Sequence, residues 1–161
     1  MTALFEFLAG RVGRTTFLNV MGLLGGLEKD DNGMFPCLRG DWYNKMDNCP
    51  LIWTDFSRHN YVTGYTEDWP QISAFNSEKT GFVQQPTDYY YRTITTAQTL
   101  QHGEKLKCVG GKAGLSETEA HLKYVNDFLR VMKVRIPFFL FSFFTRISHN
   151  SLNTLKVSVP L

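Results

Sequence analysis

The clearest rhythm in the chain begins at Ser116. Leu122, Val125, Phe128, Leu129 and Met132 recur at three- and four-residue spacing, the stripe of a helix that buries one face. Ser116 and Glu119 predict a capping box, in which each side chain satisfies a backbone N–H that the first helical turn leaves open. Arg130 and Lys133 suit the negative end of the helix dipole, and Pro137 lacks the N–H needed to continue the helix. The next segment, PFFLFSFF, is apolar without alternation, the pattern of a strand covered on both faces of a parallel sheet. A helix followed by a buried strand sets the fold class as α/β.

The first half is less regular. Residues 16–27 pass from small polar side chains into an apolar run that closes on a Gly-Gly pair, as a loop leading into a short helix does. Residues 28–48 are rich in Asp, Asn and Gly and read as a surface loop. Leu51, Ile52, Trp53 and Phe56 predict a helix over 50–59 that Asn60 stops, and NYVTGYTED predicts a strand. Tyr89, Tyr90, Tyr91 and Arg92 form an aromatic cluster whose simplest role is packing. Residues 97–114 show little periodicity and read as a connecting segment.

Composition narrows the function classes. At 161 residues with 43% hydrophobic and 14% aromatic side chains, the chain can bury a core. A formal charge of +2 gives no basic footprint, so nucleic acid is not an expected partner. The apolar run near residue 140 falls well short of the roughly 20 residues of a membrane-spanning helix. The segment MTALFEFLAGRVGR lacks a basic leader and carries Glu6 in its apolar stretch, so it does not read as a signal peptide. Three cysteines, Cys37, Cys49 and Cys108, match no zinc or redox spacing. Cys37 and Cys49 can close a small loop in an oxidising compartment; three free thiols fit the composition equally well.

Candidate chemistry sits at element ends. Thr16 and Asn19 fall near a helix N-terminus, where open N–H groups and the dipole favour an anion, and the plainer role for Thr16 is that of N-cap. Glu67 and Asp68 stand at the carboxyl end of the first strand, where α/β sheets meet ligands, although acids there are ordinarily solvated loop residues. Ser148, His149 and Asn150 follow the apolar strand at the same edge. His149 is the histidine singled out, with a structural role as the plainer alternative.

The segments VGRTTFLNVMGLLGGL, DNCPLIWTDFSRHNYVTGYTEDWP, FNSEKTGFVQQPTDYYYR and PFFLFSFFTRISHNSLN, in that order, resemble the animal domain of unknown function 229 family. That family looks like a sulfatase-like or phosphodiesterase-like branch of the alkaline phosphatase superfamily. The resemblance spans residues 11–153 and leaves 1–10 and 154–161 unassigned. It implies a partial three-layer α/β/α core, truncated at both ends.

Thr16-Phe17-Leu18-Asn19 resembles the TFPN motif of nucleotide phosphodiesterases, which implies Thr16 as a metal-bound nucleophile and Asn19 as a hydrogen-bond donor to the oxyanion. His149 matches a histidine that contacts substrate in sulfatases and resembles a metal ligand in phosphodiesterases. The metal implied for the intact family domain is divalent, zinc foremost, held in part by Thr16 and His149; this chain is not expected to retain it. Substrates implied are small phosphate or sulfate esters or glycans, and the implied location is extracellular. Leu18, Gly22, Gly25 and Asn150 depart from the family pattern, and Asp68 and Pro70 replace the lysine and histidine of the sulfatase GKWH segment. The expectation is therefore a fragment of a metal-dependent ester hydrolase, inactive as an isolated chain. The alternative is a non-catalytic extracellular binding module that presents the PTDYYYR segment and the acidic strand end. Oligomeric state is left open.

Overall fold

The computed structural model describes residues 13–40, 45–77, 79–102, 114–134 and 136–146. The first helix, α1 (Thr16–Gly25), is capped by Thr15, whose side chain accepts from the Leu18 N–H. Thr16 is therefore the first helical residue and not the cap. Gly26, at φ 58°, ends α1 in the left-handed conformation and its N–H donates to the Gly22 carbonyl. A short 3-10 turn over Pro36–Leu38 precedes α2 (Ile52–Arg58). Asn60 then takes a positive φ of 63° and turns the chain into β1 (Val62–Glu67).

Three parallel strands form the sheet in the order β2-β1-β3, where β2 is Tyr89–Tyr90 and β3 is Phe138–Phe143. β1 lies in the middle, paired along its whole length with β3 from Val62 opposite Phe138 to Glu67 opposite Phe143. Gly64 leaves room at this pairing for the Leu140 side chain, whose Cδ1 would lie 2.7 Å from a Cβ at that position. Among the described residues β3 pairs only with β1, and all six of its residues are half-buried. Both faces of β3 are nonetheless packed: Phe139 and Phe141 lie against Phe56 and Tyr65 on one side, and Phe138 and Ser142 meet Phe128 and His121 of the helix Glu117–Met132 on the other.

Successive β1 side chains face opposite sides. Tyr65 points into the larger core, where its ring stacks on Trp53 of α2 at 5.3 Å, on Tyr90 at 5.5 Å and on Phe141 at 5.8 Å. Each such pair adds about 0.5–1.5 kcal/mol beyond burial. Phe17, Val20, Met21 and Leu24 of α1 enter the same core with Phe35, Leu51 and Phe75. The Cys37–Cys49 disulfide ties the 3-10 turn to the segment before α2, across a Cα–Cα distance of 5.0 Å. The disulfide alternative is therefore the one observed.

Helix α4 (Glu117–Met132) has the predicted capping box, but its buried face is rotated from the predicted stripe. His121, Phe128 and Met132 are buried, whereas Leu122 and Leu129 are exposed. A further helix, α3 (Arg92–His102), takes in residues 97–102 of the stretch read as a connection. Its Thr95 and Thr99 hydroxyls return to the carbonyls of Arg92 and Thr95, a local bonding pattern that suits a helix poor in strong helix formers. No helix among the described residues is long and apolar enough to cross a membrane.

Candidate functional site

The carboxyl end of β1 bears two acids that are buried, not solvated. Glu67 is 3% exposed and Asp68 1% exposed, which corrects the loop reading of both. Glu67 Oε1 accepts the Ala74 N–H at 2.7 Å. Its Oε2 is buried with no well-formed hydrogen bond among the described residues, although the Tyr65 phenol and Ser73 lie close. Burial dominates and pushes the Glu67 pKa up to about 7.

Asp68 fixes the other side. Its Oδ1 accepts the Thr145 N–H at 2.8 Å and the Arg146 N–H at 3.3 Å, just beyond β3. Arg146 reaches back through Nε to the Asp68 carbonyl, pairs with Glu117 at 2.7 Å and stacks over Trp69. Burial raises the Asp68 pKa, and the two amide donors partly offset it. Each acid thus staples one loop: Glu67 holds residues 73–74, and Asp68 holds 145–146.

Between these loops and the start of α1 opens a cleft of about 260 Å³, lined by Arg14, Thr15, Thr16, Ser73, Ser77 and Thr145 among others. Thr16 is exposed at the first position of α1, where backbone N–H groups have no partner within the helix. Thr145 is 4% exposed, and its hydroxyl has no hydrogen-bond partner among the described residues. Hydroxyls, helix amides and the Arg14 guanidinium are donors, so the described wall is chemically suited to an oxyanion.

Asn19 lies one turn away but has other work in this structure. Its Nδ2 donates to the carbonyls of Gly13 (3.2 Å) and Thr15 (2.9 Å), and its Oδ1 accepts the Gly13 N–H at 3.0 Å. Both amide hydrogens thus brace the loop that leads into Thr16. His149, with Ser148 and Asn150, lies outside the described residues, so the cleft is built here without it. Thr16 is brought to Ser73 and Thr145, neither of which stood out in the sequence.

Sequence reasoning also passed over His121. Its side chain is fully buried between the rings of Tyr91 (5.0 Å) and Phe144 (4.4 Å), with Nε2 2.7 Å from Thr66 Oγ1 and 3.4 Å from Ser142 Oγ. Burial lowers its pKa to about 4, so it is neutral at physiological pH. The signal was present: His121, Tyr124, Phe128 and Met132 keep helical spacing, but a histidine is not counted in an apolar stripe. The aromatic segment is likewise core more than surface, since Tyr91 is buried and Tyr90 half-buried, leaving Tyr89 as the exposed ring.

Among the described residues no group of three or more His, Cys, Asp or Glu comes together to hold a metal ion. Zinc takes His, Cys or carboxylate ligands, and the described cleft wall offers hydroxyls and a cation instead, so these residues do not fit a divalent metal.

These features define an α/β chain with a donor-lined cleft at the strand ends. A family model described as protein of unknown function (DUF229) matches residues 5–158, and the chain belongs to that family. No curated protein and no solved structure matches the chain.

Proposed function

We propose that the cleft at the start of α1 binds the oxyanion of a phosphate or sulfate ester, and that the fold is related to the three-layer α/β/α form of the alkaline phosphatase superfamily. The observation that carries the proposal is that Thr16, exposed at the first position of α1, and Thr145, whose buried hydroxyl has no hydrogen-bond partner among the described residues, line one cleft. An anion seated there gains the positive end of the helix dipole and directed donors, the usual physics of phosphate binding at a helix N-terminus.

Thr16 is the group placed to attack phosphorus or sulfur. A free hydroxyl is a weak nucleophile at neutral pH and needs a base or a metal to activate it. The described residues supply neither beside Thr16, so the chain is expected to bind esters and turn them over little. Hydrolysis in the family domain calls for a divalent metal, and His149 is the candidate ligand from outside the described residues. The disulfide suits an oxidising, extracellular setting.

The test is calorimetric titration of the full chain with phenyl phosphate and phenyl sulfate, alongside hydrolysis assays with zinc or manganese. Binding weakened by Thr145→Val, with little turnover, is the expected outcome. Absence of binding overturns the cleft assignment, and metal-dependent turnover abolished by Thr16→Ala overturns the claim of low activity.

A further inference from the structure

Phe17 lines two cavities. One is the Thr16 cleft; the other is a pocket of about 100 Å³ walled by Phe17, Leu18, Met34 and Phe35 and flanked by Lys29 and Lys79. The Lys79 ammonium stands 5.6 Å from the Phe17 ring centroid, which places a positive charge over the residue common to both. Neither lysine makes a salt bridge to an acid among the described residues. The nearby Asp30 is already engaged, accepting from Arg39 and from the Asn32 and Met34 amides, which holds its carboxyl below the usual range.

We propose that this pocket is a second anionic subsite, and that the ester taken by the neighbouring cleft carries an apolar body and a further acidic group that sits between Lys29 and Lys79. The proposal rests on the oxyanion reading of the Thr16 cleft and adds the substrate class to it. Two ammonium groups beside an apolar floor favour a ligand that joins carbon surface to negative charge; a neutral sugar or a simple alcohol offers neither lysine an acid to pair with. Exposed pairs contribute about 0.2–1 kcal/mol each and are screened by salt, so the preference is modest and ionic-strength dependent.

The experiment compares phenyl phosphate, 4-carboxyphenyl phosphate and benzoate by calorimetry on the full chain, at low and high salt. It is run for the wild type and for the Lys29→Gln/Lys79→Gln variant, whose fold is checked by thermal melting. The carboxylated ester should bind roughly three- to tenfold more tightly than phenyl phosphate at low salt, a gain of about 1 kcal/mol. That advantage, taken as the ratio of the two esters' affinities, should vanish in the variant and in high salt, while phenyl phosphate binding persists in the variant. If phenyl phosphate itself fails to bind, the oxyanion cleft is wrong and this inference goes with it. If phenyl phosphate binds but the carboxylate adds nothing, or the advantage survives loss of both lysines, the subsite alone is overturned. Benzoate binding as tightly as the carboxylated ester also overturns it, because the two pockets would then act separately.

Discussion

Replacing Glu67 by Gln isolates the titration of one buried acid while keeping an oxygen for the Ala74 N–H. Burial raises the Glu67 pKa from 4.5 to about 7 in the folded protein. The native state therefore holds the proton more tightly than the unfolded chain, and the associated stability is full below pH 4.5 and is lost as pH rises through about 7. A shift of that size corresponds to about 3 kcal/mol, at about 1.4 kcal/mol per pH unit. The glutamine variant does not titrate there, so its stability relative to wild type should rise by that amount between pH 4.5 and 7. Urea unfolding followed by tryptophan fluorescence, with the disulfide intact, measures the difference at each pH. Other titrating groups cancel in the comparison. A wild-type-to-variant gap that stays constant across the range refutes the claim that burial outweighs the hydrogen bonds to the Glu67 carboxyl.

His121 should give the opposite slope. Its folded pKa is lowered from 6.5 to about 4 by burial, so wild-type stability falls by about 3 kcal/mol as pH drops through that window, and the deficit of His121→Gln should shrink over the same range. Loss of the Asp68 carboxylate in Asp68→Ala leaves the Thr145 and Arg146 amides without their acceptor, which should cost about 1–3 kcal/mol in urea melts and weaken phenyl phosphate binding. Cys37→Ser/Cys49→Ser should lower stability by about 3 kcal/mol, in line with closure of a loop of this size; an unchanged urea midpoint would count against the constraint. Gly64→Ala should destabilise by no more than about 1 kcal/mol, because the atom it meets is the movable end of Leu140, and a larger loss in urea melts would refute that.

Local signals were well preserved where backbone chemistry decides. The capping box at Ser116 and Glu119, the stop at Asn60 and the strand after it all formed as the sequence indicates. Tertiary context decided the rest. The face of α4 turned toward His121 because Thr66 and Ser142 present hydroxyls on the sheet, a polar match that an apolar stripe does not encode. Glu67 and Asp68 looked like solvated strand-end acids because burial arises from distant loops, residues 73–74 and 145–146, folding over them. α3 was hidden by threonines, whose helical hydrogen bonds return to their own helix carbonyls. In the candidate site Thr16 was legible from its place before an apolar run. Ser73 and Thr145 had no local signal and join it only through the two acid staples.

The central claim is that the start of α1 and the two stapled loops form one oxyanion site. The most direct test is titration of the isotopically labelled full chain with phenyl phosphate, following the backbone amide resonances by NMR. Saturable shifts at Thr16, Phe17, Ser73, Ala74 and Thr145, lost in Thr145→Val at the same ligand concentration, are predicted. Saturable shifts confined to residues away from the cleft, or none at millimolar ligand, would contradict it.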